Sequence, residues 1–194
     1  MTTPPKAATG TDSALTGADA RVAGLAGQRA DERDGGVRWL SQDELRTWIR
    51  LQAVVELLPG ALDAQLRRDA GLSHYEYLLL AMLSDAPDRT LRMSDLASAT
   101  NATLPRLSHV VTRLEKRGYV SRSADPDDGR ATLATLTEDG WLKVVSSAPG
   151  HVSTVRSHVI DALTPEQVRQ LDAIAEAMLR TLDPTNRLTA LAFP

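Results

Sequence analysis

Apolar positions between residues 41 and 182 fall into helical and strand-like periods with clear punctuation between them. Leu45, Trp48, Ile49 and Val55 follow helical spacing, and Leu51, Val54, Leu57, Leu58, Leu62 and Leu66 widen the same face. Ser41-Gln-Asp-Glu44 is a capping box, in which hydroxyl and carboxylate each satisfy an orphan amide. A helix over about 41–70 is therefore expected, kinked or split at Pro59-Gly60 and ended by Gly71. Ser73-His-Tyr-Glu76 is a second box, opening a helix through about Ser84. Ser94 is read as the cap of a short helix over 95–100. Thr103 caps the next, over about 104–117, with Pro105 in the first turn where its missing amide costs nothing and Gly118 at the end.

The period then changes. Residues 119–123 and 131–136 alternate apolar and polar, as half-buried strands do, and Asp125-Pro-Asp-Asp-Gly129 between them is turn chemistry. Thr137 opens a long helical stretch towards His158, with an interruption expected at Pro149-Gly150. Thr164-Pro-Glu-Gln167 is a third box, and Val168, Leu171, Ile174, Met178 and Leu182 after it approach a heptad seam. The fold class is mainly α with a small β-hairpin wing: a winged helix-turn-helix domain plus helices whose apolar faces lack a partner within a small domain. Residues 1–37, Ala- and Gly-rich without an aromatic residue, are expected to be disordered, an Ala-rich helix near 18–30 being the alternative. Residues 183–194 are expected to form a loose tail.

The helix over 104–117 has two differently committed sides. Leu107, Val110, Val111 and Leu114 form a packing stripe, and Pro105, Ser108, His109, Thr112, Arg113 and Lys116 lie opposite, with Arg106 on the flank. Short donors and acceptors mixed with cations suit base edges and phosphates. Charge sharpens this. The chain carries a net −3, yet residues 101–122 hold Arg106, Arg113, Lys116, Arg117 and Arg122 against Glu115 alone, a local +4 that leaves −7 elsewhere. A solvated cationic face is the plainer explanation for the charge by itself. The helix pair, polar outer face and following hairpin together favour double-stranded DNA as the partner. At the hairpin tip, Arg130 suits a narrow minor groove and Asp128 is near enough to hold its guanidinium, although an ordinary turn would look the same.

Composition mainly excludes. With no cysteine among 194 residues, disulfides, thiolate nucleophiles and cysteine-ligated metals are ruled out. No membrane-length apolar run is present, and the first residues lack a secretory apolar stretch, so the cytoplasm is the default compartment. No Gly-rich phosphate loop, nucleophile elbow or HExxH motif supports an enzyme. No cofactor is expected. His151 and His158, seven apart, would need further ligands to hold a metal, so surface or interface histidines are the simpler reading. A winged-helix module used only for protein–protein contact remains open, as does a hidden acid–base pair.

Leu91-Arg-Met-Ser-Asp-Leu-Ala97, Arg113-Leu-Glu-Lys-Arg-Gly-Tyr-Val120 and Asp125-Pro-Asp-Asp-Gly-Arg130 with Leu136-Thr137 resemble the MarR (multiple antibiotic resistance regulator) family. The resemblance runs from about residue 39 to 182. It implies a homodimeric winged-helix transcription regulator, usually a repressor, that binds a pseudo-palindromic operator. Dimerisation helices would lie at about 41–70 and 138–182, and the DNA-binding part at about 72–137. Arg130 would be the minor-groove arginine and Asp128 its positioning partner, while Pro105, Arg106, Ser108, His109, Thr112 and Arg113 face the major groove. Pro105 stands where relatives often carry a small polar residue. The family also implies a small aromatic or amphipathic ligand, for which Trp48, His74, Tyr75 and Tyr77 are the candidate contacts, core or dimer packing being their plainer role. Peroxide sensing through a thiol is excluded by the missing cysteines.

Overall fold

Helix caps chosen by the sequence set the limits of most elements. The structure, a computed structural model, describes residues 38–188. The chain divides into two compact units, Met1–Glu56 and Leu57–Pro194. Helix α1 (Gln42–Ala70) is the element within which the division falls. In the first unit the expected box is formed: the Ser41 amide donates to Glu44 Oε2 at 2.7 Å and the Glu44 amide to Ser41 Oγ at 3.3 Å. Trp48, Ile49, Val54 and Val55 of this unit are all about half exposed.

In the second unit, α2 (His74–Asp85) opens on a complete Ser73–Glu76 box. A short 3-10 turn (Pro87–Arg89) leads to β1 (Thr90–Arg92), α3 (Met93–Ala99) and α4 (Leu104–Lys116). Then come β2 (Val120–Ala124), β3 (Thr132–Leu136), α5 (Glu138–Val155), a π-helical turn (Arg156–Ile160) and α6 (Pro165–Leu182). The sheet is antiparallel in the order β1-β3-β2, with Thr90 opposite Thr135 and Val120 opposite Leu136. The core gathers Leu79, Leu80 and Leu83 of α2, Leu96 of α3, Leu107, Val111 and Leu114 of α4, and Val120 and Ala134 of the sheet.

Some expectations need correction. Neither Pro59 nor Pro149 breaks its helix: α1 and α5 run through them, although a proline in a helix interior forgoes a hydrogen bond at a cost of about 3 kcal/mol. The irregularity falls later, in the π turn at Arg156–Ile160. Ser94 is not a cap: α3 starts two residues earlier than expected, after Arg92 in extended conformation, and the Ser94 hydroxyl bonds to Asp95 instead. The third strand, β1, is only three residues long, too short for alternation to reveal. The segment expected to be disordered, 1–37, lies outside the described residues, as does 189–194. Within 183–188, Asp183 is buried and accepts from the Leu188 amide at 2.8 Å and from Arg187 at 3.2 Å, which draws these residues into a tight turn.

Thr137 fastens the hairpin to what precedes and follows it. Its hydroxyl donates to the Gly118 carbonyl at 2.6 Å and accepts from the Gly140 amide at 3.0 Å, while its amide donates to the Tyr119 carbonyl. Gly118 takes φ +78°, the left-handed turn that ends α4 and turns the chain into β2. At Gly140 the backbones come so close that an added Cβ would stand 2.2 Å from the Tyr119 carbonyl oxygen. Gly140→Ala should therefore cost about 1–3 kcal/mol through overpacking, read as a lowered midpoint in chemical denaturation.

Candidate nucleic-acid interface

Burial along α4 is one-sided because its apolar residues recur at helical spacing. Leu107, Val111 and Leu114 are fully buried and Val110 nearly so. Thr103 caps the helix by accepting from the Arg106 amide at 3.4 Å, and Pro105 sits in the first turn. Pro105, Arg106, His109, Arg113 and Lys116 are exposed, while Ser108 and Thr112 are half-buried. Thr112 commits its hydroxyl proton to the Ser108 carbonyl at 2.8 Å, so it offers a methyl group and an acceptor rather than a donor.

The local positive charge is less free than the count implied. Arg122 is held by Glu115 at 2.6 Å, and this guanidinium holds the Glu115 carboxyl below its usual range. Glu76, buried on α2, accepts from the Ser73 amide at 2.8 Å and lies 3.5 Å from Arg113 and 3.9 Å from Arg117. Arg117 also stacks over Tyr119, and Arg106 over Tyr75. A buried carboxylate requires such partners, and here they pin α4 against α2. Sequence spacing places Glu76 in a capping box; its pairing with α4 depends on the tertiary fold.

The wing is built on two aspartates. Asp125, 6% exposed, accepts from the Asp127 amide at 2.9 Å and pairs with Arg92 of β1 at 2.7 Å. The amide bond comes first among the influences that lower its pKa. Asp128 holds Arg130 through the backbone, accepting from the Arg130 amide at 3.1 Å. The expected grip of Asp128 on the guanidinium is absent among the described residues, because the tight turn directs that carboxylate to the amide two residues on. Arg130 is exposed. An open groove of about 530 Å³ separates the start of α4 from the wing, with Leu104, Pro105 and Ser108 on one side, Arg122, Asp128 and Arg130 on the other, and Ser94 of α3 contributing. The parts played by Arg92, Ser94 and Arg122 are not legible in the sequence, since an isolated Arg or Ser in a short strand or at a helix start carries no periodic signal.

Among the candidate ligand contacts of the second unit, His74 and Tyr77 come together and Tyr75 does not join them. Trp48 belongs to the first unit and is about half exposed. Tyr75 points to the helix-turn-helix, with its hydroxyl 3.0 Å from Thr100 Oγ1. Tyr77 and His74 instead meet His151 of α5, at 4.6 and 5.9 Å between ring centroids. Buried Gln65 Oε1 and His151 Nδ1 have no hydrogen-bond partner among the described residues. Burial lowers the pKa of both histidines, and for His151 the neighbouring His74 adds to the effect. His158 lies in the π turn rather than on a regular helix with His151. Among the described residues, no group of three metal-ligating side chains forms, and no helix is long and apolar enough to cross a membrane.

Residues 72–132 match the model of the MarR family. Sco3205, a MarR family transcriptional regulator from Streptomyces coelicolor solved in complex with DNA, is 42% identical with a TM-score of 0.74, covering 79% of this chain and 96% of that one. AbsC, a MarR family transcriptional regulator from the same organism, is 37% identical with a TM-score of 0.73, covering 77% of this chain and 100% of that one. The HTH-type transcriptional repressor YetL of Bacillus subtilis is 31% identical over 97 residues, which is 50% of this chain and 58% of that protein. The chain thus spans little more than half the length of YetL and of a second B. subtilis regulator. These relatives are regulators of transcription, not enzymes.

The lowered histidines set one pH dependence. The unfolded chain binds protons at His74 and His151 near their ordinary value of about 6.5, while the folded chain resists them, so stability falls as pH drops below about 6.5. Thermal melts should show the midpoint declining between about pH 6.5 and 5, and a His74→Gln/His151→Gln variant should flatten that decline.

Proposed function

The chain belongs to the MarR family, and from this premise we propose that it is a sequence-specific DNA-binding regulator of transcription, acting as a homodimer on a pseudo-palindromic operator. The observation that carries the proposal is the outer side of α4, where His109 and Lys116 are exposed and Pro105 and Ser108 line a groove shared with the exposed Arg130. That arrangement offers short side chains to base edges and cations to phosphates. The DNA complex of the 42% identical Sco3205 supports the same use. Asp128, by fixing the Arg130 backbone, aims the wing arginine at the minor groove. Repression, the action for which YetL is named, is the proposed mode, exerted in the cytoplasm on chromosomal DNA.

Exposed apolar side chains support self-association. Leu142, Val145 and Val152 of α5, Leu171, Ile174 and Leu182 of α6, and Trp48 and Ile49 of the first unit are each two-fifths exposed or more. Apolar surface on that scale marks an interface rather than a solvated face. Two copies of α4 would then read half-sites about one DNA turn apart. We place a small aromatic or amphipathic effector at the His74–Tyr77–His151 cluster, where His151 Nδ1, like the buried Gln65 Oε1, has no hydrogen-bond partner among the described residues. A ligand there shifts DNA affinity only by its differential binding to two states of the dimer.

Selection of bound fragments from a genomic DNA pool, followed by gel shifts, tests the proposal. The protein should retard the selected site in preference to random DNA. Arg130→Ala should weaken binding about tenfold at every site and lower the salt slope by about one. His109→Ala or Thr112→Ala should change base preference in the half-site by about 1–3 kcal/mol. Affinity independent of salt, or no preference over random DNA, would leave only a protein-interaction role for the winged domain.

A further inference from the structure

Tyr75, packed against the edge of the core, meets Arg106 across the helix pair. Tyr75 is the second residue of α2 and half-buried. Thr100 donates its hydroxyl proton to the Leu96 carbonyl at 2.8 Å, so the Tyr75 hydroxyl is the donor in its 3.0 Å bond to Thr100 Oγ1. The ring is thereby anchored at α2 by its backbone and at the end of α3 by its oxygen. Over its face lies the Arg106 guanidinium, 5.1 Å from the ring centroid and within the range of about 6 Å at which a cation is attracted to the aromatic quadrupole.

The position on α4 matters as much as the contact. Arg106 precedes buried Leu107 and so stands roughly a quarter-turn from the buried stripe, at about 100° per residue. Arg113, seven residues on and on the same flank, reaches Glu76 at 3.5 Å. Consecutive residues of α2, Tyr75 and Glu76, therefore hold two arginines along one side of α4, away from the outermost His109, Thr112 and Lys116. When a helix lies in the major groove, its tip-facing residues approach base edges and its flanks approach the sugar–phosphate walls. A guanidinium lying on a ring keeps its donors free, while the long side chain has lost much of its rotamer freedom before DNA arrives.

We propose that Tyr75 is a positioning residue that pre-orders Arg106 to clamp a DNA phosphate, so that Arg106 supplies sequence-independent affinity instead of reading a base. The inference rests on the DNA-binding reading above; it gives Arg106, so far only groove-facing, the role of backbone clamp, and moves Tyr75 from ligand contact to DNA site.

The test measures full-length protein on its selected site and on random DNA of equal length, across a salt titration. Arg106→Ala should weaken both DNAs by the same factor, about tenfold, and reduce the salt slope by about one. Tyr75→Leu should weaken both by about threefold, and Tyr75→Phe, which keeps the ring, should stay within about twofold of the parent. In an Arg106→Ala background Tyr75→Leu should have no further effect, whereas in an Arg130→Ala background it should retain its full factor. Three results overturn the proposal: Tyr75→Leu without effect, Tyr75→Leu equally damaging when Arg106 is already alanine, or Arg106→Ala altering preference at one base pair. The underlying reading fails separately, in the parent protein itself, if that protein shows no preference for its selected site.

Discussion

Burial of the Leu107–Val110–Val111–Leu114 stripe is the constraint on which the DNA-facing geometry depends. A helix of 13 residues has only one face to give to a core. Once these four side chains join the leucines of α2, the rotation of α4 is set and its polar residues have nowhere to go but outward. Glu76 turns that preference into a lock. One carboxylate completes the α2 capping box and faces Arg113 and Arg117, so a local signal for starting a helix also fixes the orientation of another. Separating Glu76 from these partners would strand a charge in the core, which is why the arrangement resists slippage.

The wing follows the same logic. Thr137 joins the Gly118 carbonyl at the end of α4 to the first turn of α5, so the hairpin is held at its base on both sides. Asp125 and Arg92 hold it from the third strand, and Asp128 shapes the tip through the Arg130 amide. The tip arginine is thereby presented on a hairpin fastened at its base, exposed to solvent. Charge is handled with equal restraint: Glu76 and Glu115 offset arginines that serve packing, and Arg106, Lys116 and Arg130 remain for a polyanion. A net charge of −3 is compatible with DNA binding because the attraction is local and acts over about 10 Å in ordinary salt.

Much of this architecture is legible in the order of residues. Three capping boxes, the glycine after α4 and the alternation in β2 and β3 each rest on interactions within a few residues, and they mark the elements to within a residue or two. The buried stripe of α4 follows from periodicity alone. Local rules mislead where the cause is distant. Pro59 and Pro149 carry a helix-breaking signal, yet α1 and α5 continue through them. β1 exists because β3 offers it a partner, not because Thr90-Leu-Arg92 resembles a strand. Tyr75 stands beside His74 and Tyr77 in the chain as if in one aromatic cluster. Helical geometry nevertheless sends these neighbours in different directions, Tyr75 to Thr100 and Tyr77 to His151.

By itself, then, the sequence determined the order of elements, the face each amphipathic helix commits to a core, and the residues left outside on α4 and the wing. These are consequences of period, caps and turn chemistry, which act over four or five positions. Only the tertiary structure decided which cations are paired among the described residues, how Asp128 acts on Arg130, and that Tyr75 lies beneath Arg106. Such outcomes depend on groups distant in sequence, as Tyr75 and Thr100 are, or on a choice between backbone and side-chain partners, as at Asp128. Packing makes those choices, not sequence neighbours.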